Sequence, residues 1–88
     1  MNIIVSPTPN PNAMKFTVEV KLVAAGSRTF DSAKEAEADP LAKCLFAVTG
    51  VKSVFILGSF VTVTRVAGVG WSDLLPRLER AMREHFGG

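Results

Sequence analysis

The chain has 88 residues, 48% of them hydrophobic and 20% charged, a composition typical of one globular domain spanning residues 1–88. Its formal net charge is +2, whereas a dedicated nucleic-acid-binding protein usually carries a denser basic face. One cysteine (Cys44) and one histidine (His85) exclude an intrachain disulfide framework, and they exclude a metal centre that draws about four Cys or His ligands from one chain.

The amino-terminal apolar run, Ile3–Val5, is much shorter than the hydrophobic region of a signal peptide, and no charged segment precedes it. No stretch of the sequence approaches the roughly 18 apolar residues that a membrane-spanning helix requires. A free thiol is typical of a reducing compartment. We therefore expect a cytoplasmic protein.

A short strand is predicted at Asn2–Ser6, where β-branched residues are concentrated. The next segment, Pro7–Asn12, contains three prolines, which prevent a strand ladder or a helix interior, and its asparagines can form Asx-turns. Apolar and polar residues then alternate over Lys15–Lys21, which predicts a second strand with one buried face. That face is formed by Phe16, Val18 and Val20.

The middle of the chain predicts a brief strand and two helical segments. Arg28–Phe30 can return as a strand, and Ser32–Glu35 matches a capping box that opens a helical turn. Asp39 is predicted to be the N-cap of the first main helix, with Pro40 at its first position and Gly50 ending it. The apolar face of this helix contains Leu41, Cys44, Leu45 and Val48.

The strongest hairpin signal lies between Val54–Leu57 and Phe60–Thr64. Their connection, Gly58-Ser59, has glycine in the first position, which suits a type II′ turn. The first of these strands is apolar on both faces in its second half, which indicates a central strand covered by a helix on one side.

The last predicted element is a helix capped by Asp73 or Ser72, with Trp71 packing just before it and Pro76 in or just after its first turn. Its apolar stripe contains Leu74, Leu75, Leu78, Ala81, Met82 and Phe86. The order of elements predicts an α+β fold, a two-layer sandwich in which an antiparallel sheet carries two main helices on one face.

The titratable residues provide no catalytic constellation. Cys44 lies on an apolar helix face, where a cysteine is usually a buried and inert thiol. His85 near the end of the last helix is expected to interact with the helix dipole. The acids ahead of the first main helix are best explained as a solvated surface. We therefore expect no catalytic residue and no metal or cofactor site within one chain, and conclude that the protein is not an enzyme.

Two surfaces are candidates for binding a partner. The first is the rigid turn formed by Pro9, Asn10, Pro11 and Asn12, because three prolines within five residues exceed what a simple connection requires. The same rigidity is what a structural lock would need, and the sequence leaves both explanations open. The second is an exposed basic face on the last helix, to which Arg65 and Lys52 can contribute; it is formed by Arg77, Arg80 and Arg83. No exposed aromatic pair resembling a base-stacking platform is evident.

The proline-rich turn also carries a family resemblance. Thr8–Asn12 followed by Met14–Phe16 resembles the opening signature of the N-terminal domain of Nfu/NifU-type iron–sulfur cluster scaffold proteins. The similarity continues in order along essentially the whole chain, through Asp39–Ala42, Leu45-Phe46, Gly50–Phe55, Phe60–Thr64 and Trp71.

The resemblance implies a small domain with an antiparallel sheet and helices. In full-length members of the family, a second domain carries a C-x-x-C motif, and two such chains hold a 4Fe–4S cluster for delivery to client proteins. The present sequence has no C-x-x-C motif. It therefore resembles a stand-alone form of the N-terminal domain, and no cluster ligand of the family has a counterpart among its residues.

We accordingly expect a non-catalytic protein-interaction module in iron–sulfur cluster assembly or delivery, whose partners are assembly factors or client proteins. Two alternatives stay open. One is a metal-binding protein in which Cys44 and His85 of two protomers meet at an interface. The other is a weak nucleic-acid-binding domain that uses the arginine face, although neither nucleic acid nor a membrane is the partner we expect.

Overall fold

The computed structural model describes residues 2–23 and 25–87. Within these residues, five strands form one antiparallel sheet in the order β1-β2-β5-β4-β3. The strands are β1 (Ile4–Pro7), β2 (Ala13–Thr17), β3 (Ser27–Phe30), β4 (Val51–Leu57) and β5 (Phe60–Arg65). The helices in the same part of the chain are α1 (Ala33–Ala36), α2 (Pro40–Phe46) and α3 (Trp71–Phe86). The predicted α+β architecture is confirmed.

The core lies between the helices and one face of the sheet. Phe16 of β2 pairs with Val61 of β5, and Val61 pairs with Ile56 of β4, so these three side chains share that face. They join one buried cluster with residues from every helix, namely Ala36, Leu41, Ala42, Leu45, Leu74, Leu78 and Met82. Because a single cluster contains both sets of residues, all three helices pack on the same face of the sheet.

The β4–β5 hairpin forms as its sequence predicts. Its loop is Gly58-Ser59, and Gly58 has φ = 58° while Ser59 has no positive φ. A type II′ turn needs a positive φ only at its first central residue, so this geometry fits the predicted turn.

The starts of α1 and α2 are determined by local side-chain hydrogen bonds. The Ser32 hydroxyl accepts a hydrogen bond from the Glu35 amide at 3.2 Å. The Asp39 carboxylate accepts from the amides of Leu41 and Ala42, and Pro40 occupies the first helical position as predicted. In a modified capping box, the Glu35 carboxylate accepts from the Asp31 amide rather than from Ser32.

The second strand is shorter than its alternating pattern predicts. It ends at Thr17, and Val20 is 42% exposed instead of facing the core. After Thr17 the backbone bends over the end of the β4–β5 hairpin, where the Val18 amide donates to the Ser59 carbonyl at 2.9 Å. Leaving the ladder at this point buries Val18 and turns Val20 outward.

The C-cap of α2 is Ala47, not the predicted Gly50, because the helix ends at Phe46. Gly50 instead lies in the following turn with φ = 110°. A Cβ atom at this position would lie 3.0 Å from Cγ1 of Val69. The glycine is therefore required by its backbone conformation and by the close approach of the loop before α3.

The last helix begins earlier than predicted. Its N-cap is Gly70, and neither Ser72 nor Asp73 caps it. The Gly70 carbonyl accepts from the Leu74 amide at 3.1 Å, so Trp71 is the first helical residue and Pro76 falls in the second turn. No described helix combines the length and the apolar content that crossing a membrane would need.

We expect Leu78→Ala to destabilise the fold by about 2–5 kcal/mol, since Leu78 is fully buried between α3 and the sheet and its truncation leaves a cavity. Urea denaturation followed by circular dichroism measures the change. Leu75→Ala is the matched control, because Leu75 is only half-buried on the same helix and should cost clearly less. Equal losses in the two variants would contradict this description of the core.

Candidate functional site

The segment from Thr8 to Ala13 is a turn closed by its own hydrogen bonds. The Thr8 hydroxyl lies 2.8 Å from the Asn10 carbonyl oxygen and 3.0 Å from the Ala13 carbonyl oxygen, and it accepts from the Asn10 amide. The Asn10 side-chain oxygen accepts from the Asn12 amide at 2.9 Å, which is the Asx-turn that the sequence indicates. The Ala13 amide donates back to the Asn10 carbonyl at 3.0 Å.

Two residues that are distant in the sequence, Arg65 and Trp71, hold this turn in place. We call their contacts, together with the hydrogen bonds within the turn, the lock. The Trp71 indole N–H donates to the Pro11 carbonyl at 3.0 Å. Arg65 donates from its backbone amide to the Asn12 carbonyl at 2.8 Å and from Nε to the Asn12 side-chain oxygen at 3.3 Å. The Arg65 guanidinium also lies 5.3 Å from the centre of the Trp71 ring and donates to the Val69 carbonyl.

The outer surface of the turn stays open to solvent. Pro9, Asn10, Pro11 and Asn12 are all exposed. Both asparagine side chains use their oxygen within the lock, whereas neither amide nitrogen donates a hydrogen bond among the described residues. The turn therefore presents proline rings and amide donors in one fixed geometry.

The second candidate surface is a groove between α2 and α3, with a volume of about 620 Å³. We call it the α2–α3 groove; its lining is Cys44, Ala47, Val48, Thr49, Arg77, Arg80, Ala81, Glu84 and His85. Arg77 and Arg80 thus lie together as predicted. Arg83 and Lys52 are exposed, but neither lines the groove. Arg65 belongs to the lock of the turn instead of this basic face.

Cys44 lines the α2–α3 groove and is half-buried. Its Sγ donates to the Ala81 carbonyl at 3.6 Å, which links α2 to α3. Burial raises the pKa of the Cys44 thiol, and the negative charges of Glu84 and Asp39 raise this pKa further. The thiol is therefore protonated at neutral pH, as expected for an unreactive cysteine.

The predicted pairing of Cys44 and His85 as metal ligands was between two protomers, but both residues line the same groove of one chain. Across residues 2–23 and 25–87, no three side chains of His, Cys, Asp or Glu gather in a geometry that could hold a metal ion.

The sequence reasoning missed a pair of aromatic residues on the other face of the sheet. Phe55 and Phe60 are half-buried, their ring centres are 6.4 Å apart, and the Lys15 ammonium lies 4.3 Å from the centre of the Phe60 ring. Phe55 follows Val54 and precedes Ile56, both of which face the core, so it points away from the helices. The two rings are neighbours because of the register between β4 and β5. The composition of the sequence does not reveal that register.

Comparison with known proteins identifies the class of domain. The family model described as "Scaffold protein Nfu/NifU N terminal" matches residues 3–88. The chain therefore belongs to the Nfu/NifU N-terminal scaffold family, as the proline-rich signature indicates.

Two curated relatives agree with this assignment. The chain is 36% identical over 87 residues to the "NFU1 iron-sulfur cluster scaffold homolog, mitochondrial" of Drosophila ananassae, covering 98% of this chain and 30% of that protein. It is 40% identical over 86 residues to "NifU-like protein 5, mitochondrial" of Arabidopsis thaliana, covering 98% and 31%. The chain thus spans about three tenths of the length of these relatives.

The fold is also similar to two solved structures. Protein SAV1430 from Staphylococcus aureus superimposes with a TM-score of 0.80 at 30% identity, covering 93% of this chain and 99% of that one. A NifU-like protein from Saccharomyces cerevisiae superimposes with a TM-score of 0.84 at 24% identity, covering 98% and 78%.

The predicted cytoplasmic location is wrong by the same comparisons, because the curated relatives from fly and plant are named as mitochondrial proteins. The prediction relied on the free thiol of Cys44. A free thiol indicates a reducing environment, and it does not distinguish one reducing compartment from another.

We expect Glu84→Gln to raise the rate at which iodoacetamide alkylates Cys44 at pH 8 by about twofold, because removing a nearby negative charge lowers the thiol pKa. Mass spectrometry of timed samples measures the rate, and the pH–rate profile should move to lower pH. Glu79→Gln is the control, since Glu79 lies outside the α2–α3 groove. An unchanged profile in Glu84→Gln would show that its charge does not act on the thiol.

Proposed function

We propose that this chain is a non-catalytic protein-interaction module that acts in the assembly or delivery of iron–sulfur clusters. Support comes from its membership of a scaffold family and from relatives whose names describe iron–sulfur cluster scaffolds. Its partners on this proposal are proteins, either cluster-assembly factors or the clients that receive clusters.

The observation that carries the proposal is the construction of the turn Pro9–Asn12. Its inward-facing groups are used by Arg65 and Trp71, which lie far away in the sequence. Its outward-facing groups, two proline rings and two amide nitrogens, are left without a partner among the described residues. A rigid exposed surface loses little conformational entropy on binding, so it favours recognition over a mere connection between strands. The basic face of Arg77, Arg80 and Arg83 is the second surface of the proposal.

The chemistry of Cys44 is consistent with a role in recognition and does not favour a role in holding a cluster. A cysteine binds iron as the thiolate, and burial together with Glu84 and Asp39 disfavours the thiolate of Cys44. On the proposal, the ligands that hold a cluster come mainly from another protein or domain, and this chain recognises its partner.

We expect Asn10→Asp/Asn12→Asp to leave stability nearly unchanged while weakening retention of iron–sulfur assembly or client proteins. The aspartates preserve the side-chain oxygens that accept from the Asn12 amide and from Arg65, but they remove the exposed N–H donors and add negative charge. The measurements are thermal unfolding of the variant, and affinity capture from the native host with identification by mass spectrometry.

Asn10→Ala/Asn12→Ala is the companion variant, because it removes the two side-chain oxygens that accept hydrogen bonds in the lock together with the exposed donors. We expect its free energy of unfolding to fall by about 1–3 kcal/mol, and we expect it to retain less of the partner proteins. If the aspartate variant retains the same proteins in the same amounts as the wild type, the turn is a structural lock and is not the binding surface.

The proposal also predicts the result of anaerobic reconstitution of the purified chain with iron and sulfide. We expect no stoichiometric visible absorbance from a thiolate-bound cluster, because about four ligands are needed and the chain offers one cysteine. The comparison is with Cys44→Ser. A stoichiometric absorbance that disappears in this variant would assign cluster binding to the chain itself and contradict a purely recognition role.

A further inference from the structure

The floor of the α2–α3 groove is apolar and uncharged. By the floor we mean the lining residues Ala47, Val48 and Ala81 together with the Cys44 thiol in its neutral form. The hydrogen bond from Cys44 to the Ala81 carbonyl joins the two sides, so the floor is part of the packed structure. A ligand that fills this groove must therefore place apolar atoms against it.

The wall contributed by α3 is basic. Arg77 and Arg80 are three residues apart, so their side chains emerge on the same side of the helix. Both are exposed, and neither takes part in an ion pair within the described part of the chain. Glu84 is the single acid in the lining, one turn beyond Arg80. Two unpaired guanidinium groups above an apolar floor are complementary to carboxylates on an apolar scaffold.

The length of the groove restricts the ligand further. Its α3 side runs from Arg77 to His85, which corresponds to about 12 Å along a helix axis or roughly two turns. A short helical or extended peptide can cover this distance with two acidic residues and the apolar residues between them. Single-stranded nucleic acid fits less well, because the described lining has no aromatic ring other than the His85 imidazole on which a base could stack.

We propose that the α2–α3 groove binds an acidic amphipathic peptide segment of a protein partner, with its apolar side chains on the floor and its carboxylates on Arg77 and Arg80. This inference rests on the proposed function as an interaction module, and it specifies what the basic face recognises. The turn Pro9–Asn12 is a separate surface, so the two can be tested independently.

The test uses the whole chain and a synthetic peptide of roughly twelve residues, acetylated and amidated, with Leu and Glu at helical spacing. Its matched control has Gln in place of every Glu. Cys44 is the chain's one cysteine and lies on the groove floor, so its alkylation by iodoacetamide reports occupancy. The acidic peptide should slow alkylation in a saturable manner and shift the backbone amide NMR signals of α2 and α3, whereas the Gln peptide should bind about tenfold more weakly.

Charge reversal identifies the residues responsible. Arg77→Glu/Arg80→Glu should weaken the acidic peptide by at least about tenfold. Lys34→Glu/Lys52→Glu is the matched control, because it makes the same change in net charge at exposed positions outside the groove and should have little effect. Each variant is compared with and without peptide, so that a changed thiol reactivity is not mistaken for binding, and circular dichroism verifies its fold.

Several outcomes would overturn the inference. Equal binding of the Glu and Gln peptides, equal losses in the two double variants, or signal shifts confined to residues that do not line the groove would each do so. Displacement of the peptide by oligouridine at comparable affinity would assign the groove to nucleic acid instead. If the peptide fails to bind while Asn10→Asp/Asn12→Asp still loses protein partners, the groove inference is wrong and the interaction function stands.

Discussion

The pairing of β5 on both of its edges is the constraint on which the rest of the structure depends. This strand joins β2 on one side and β4 on the other, and its inward-facing residues Val61 and Val63 are fully buried beneath the helices. Register is therefore fixed, because a shift by one residue would turn both valines out of the core. The same register carries Arg65 at the end of β5 to Asn12, where its backbone amide and its side chain contact the proline-rich turn. Packing of the core thus determines the position of an exposed surface.

The proline-rich turn is a lock on its inner side and an exposed surface on its outer side. Trp71 begins α3 and also donates to the Pro11 carbonyl, so the start of the helix and the position of the turn are coupled through one side chain. The turn Pro9–Asn12 can therefore be held rigidly on its inner side and still leave its outer side open to a partner. Hydrogen bonds on the inner side keep the backbone in place, and the prolines restrict its alternatives before folding. The exposed amide nitrogens of Asn10 and Asn12 make no hydrogen bond to the lock among the described residues.

Features of the fold that arise from neighbouring residues could be predicted from the sequence. Gly58 and Ser59 specify their turn through backbone preference alone, and Asp39 with Pro40 begins α2 because the cap needs only the next three residues. Features that depend on distant residues could not. The end of β2 at Thr17 depends on a contact with the turn of the β4–β5 hairpin, which lies far along the chain. The lock likewise joins residues that are 53 and 60 positions apart in the sequence. The helical spacing of Arg77 and Arg80 revealed a basic face. The apolar floor of the groove combines Cys44 of α2, the residues that follow α2, and Ala81 of α3, so it is visible only in the three-dimensional structure.

The position of Cys44 connects these arguments about chemistry and recognition. A thiol intended for iron or for redox exchange benefits from positive neighbours that stabilise the thiolate. Cys44 has the opposite environment, since burial and the charges of Glu84 and Asp39 all raise its pKa. The Cys44 part of the lining is therefore neutral, and the positive charge of the groove comes from Arg77 and Arg80 of α3. Such a separation of an apolar base from a charged rim is typical of protein-binding surfaces, where apolar burial supplies affinity and the rim selects partners by charge. The single cysteine is thus better explained by packing between α2 and α3 than by cluster chemistry.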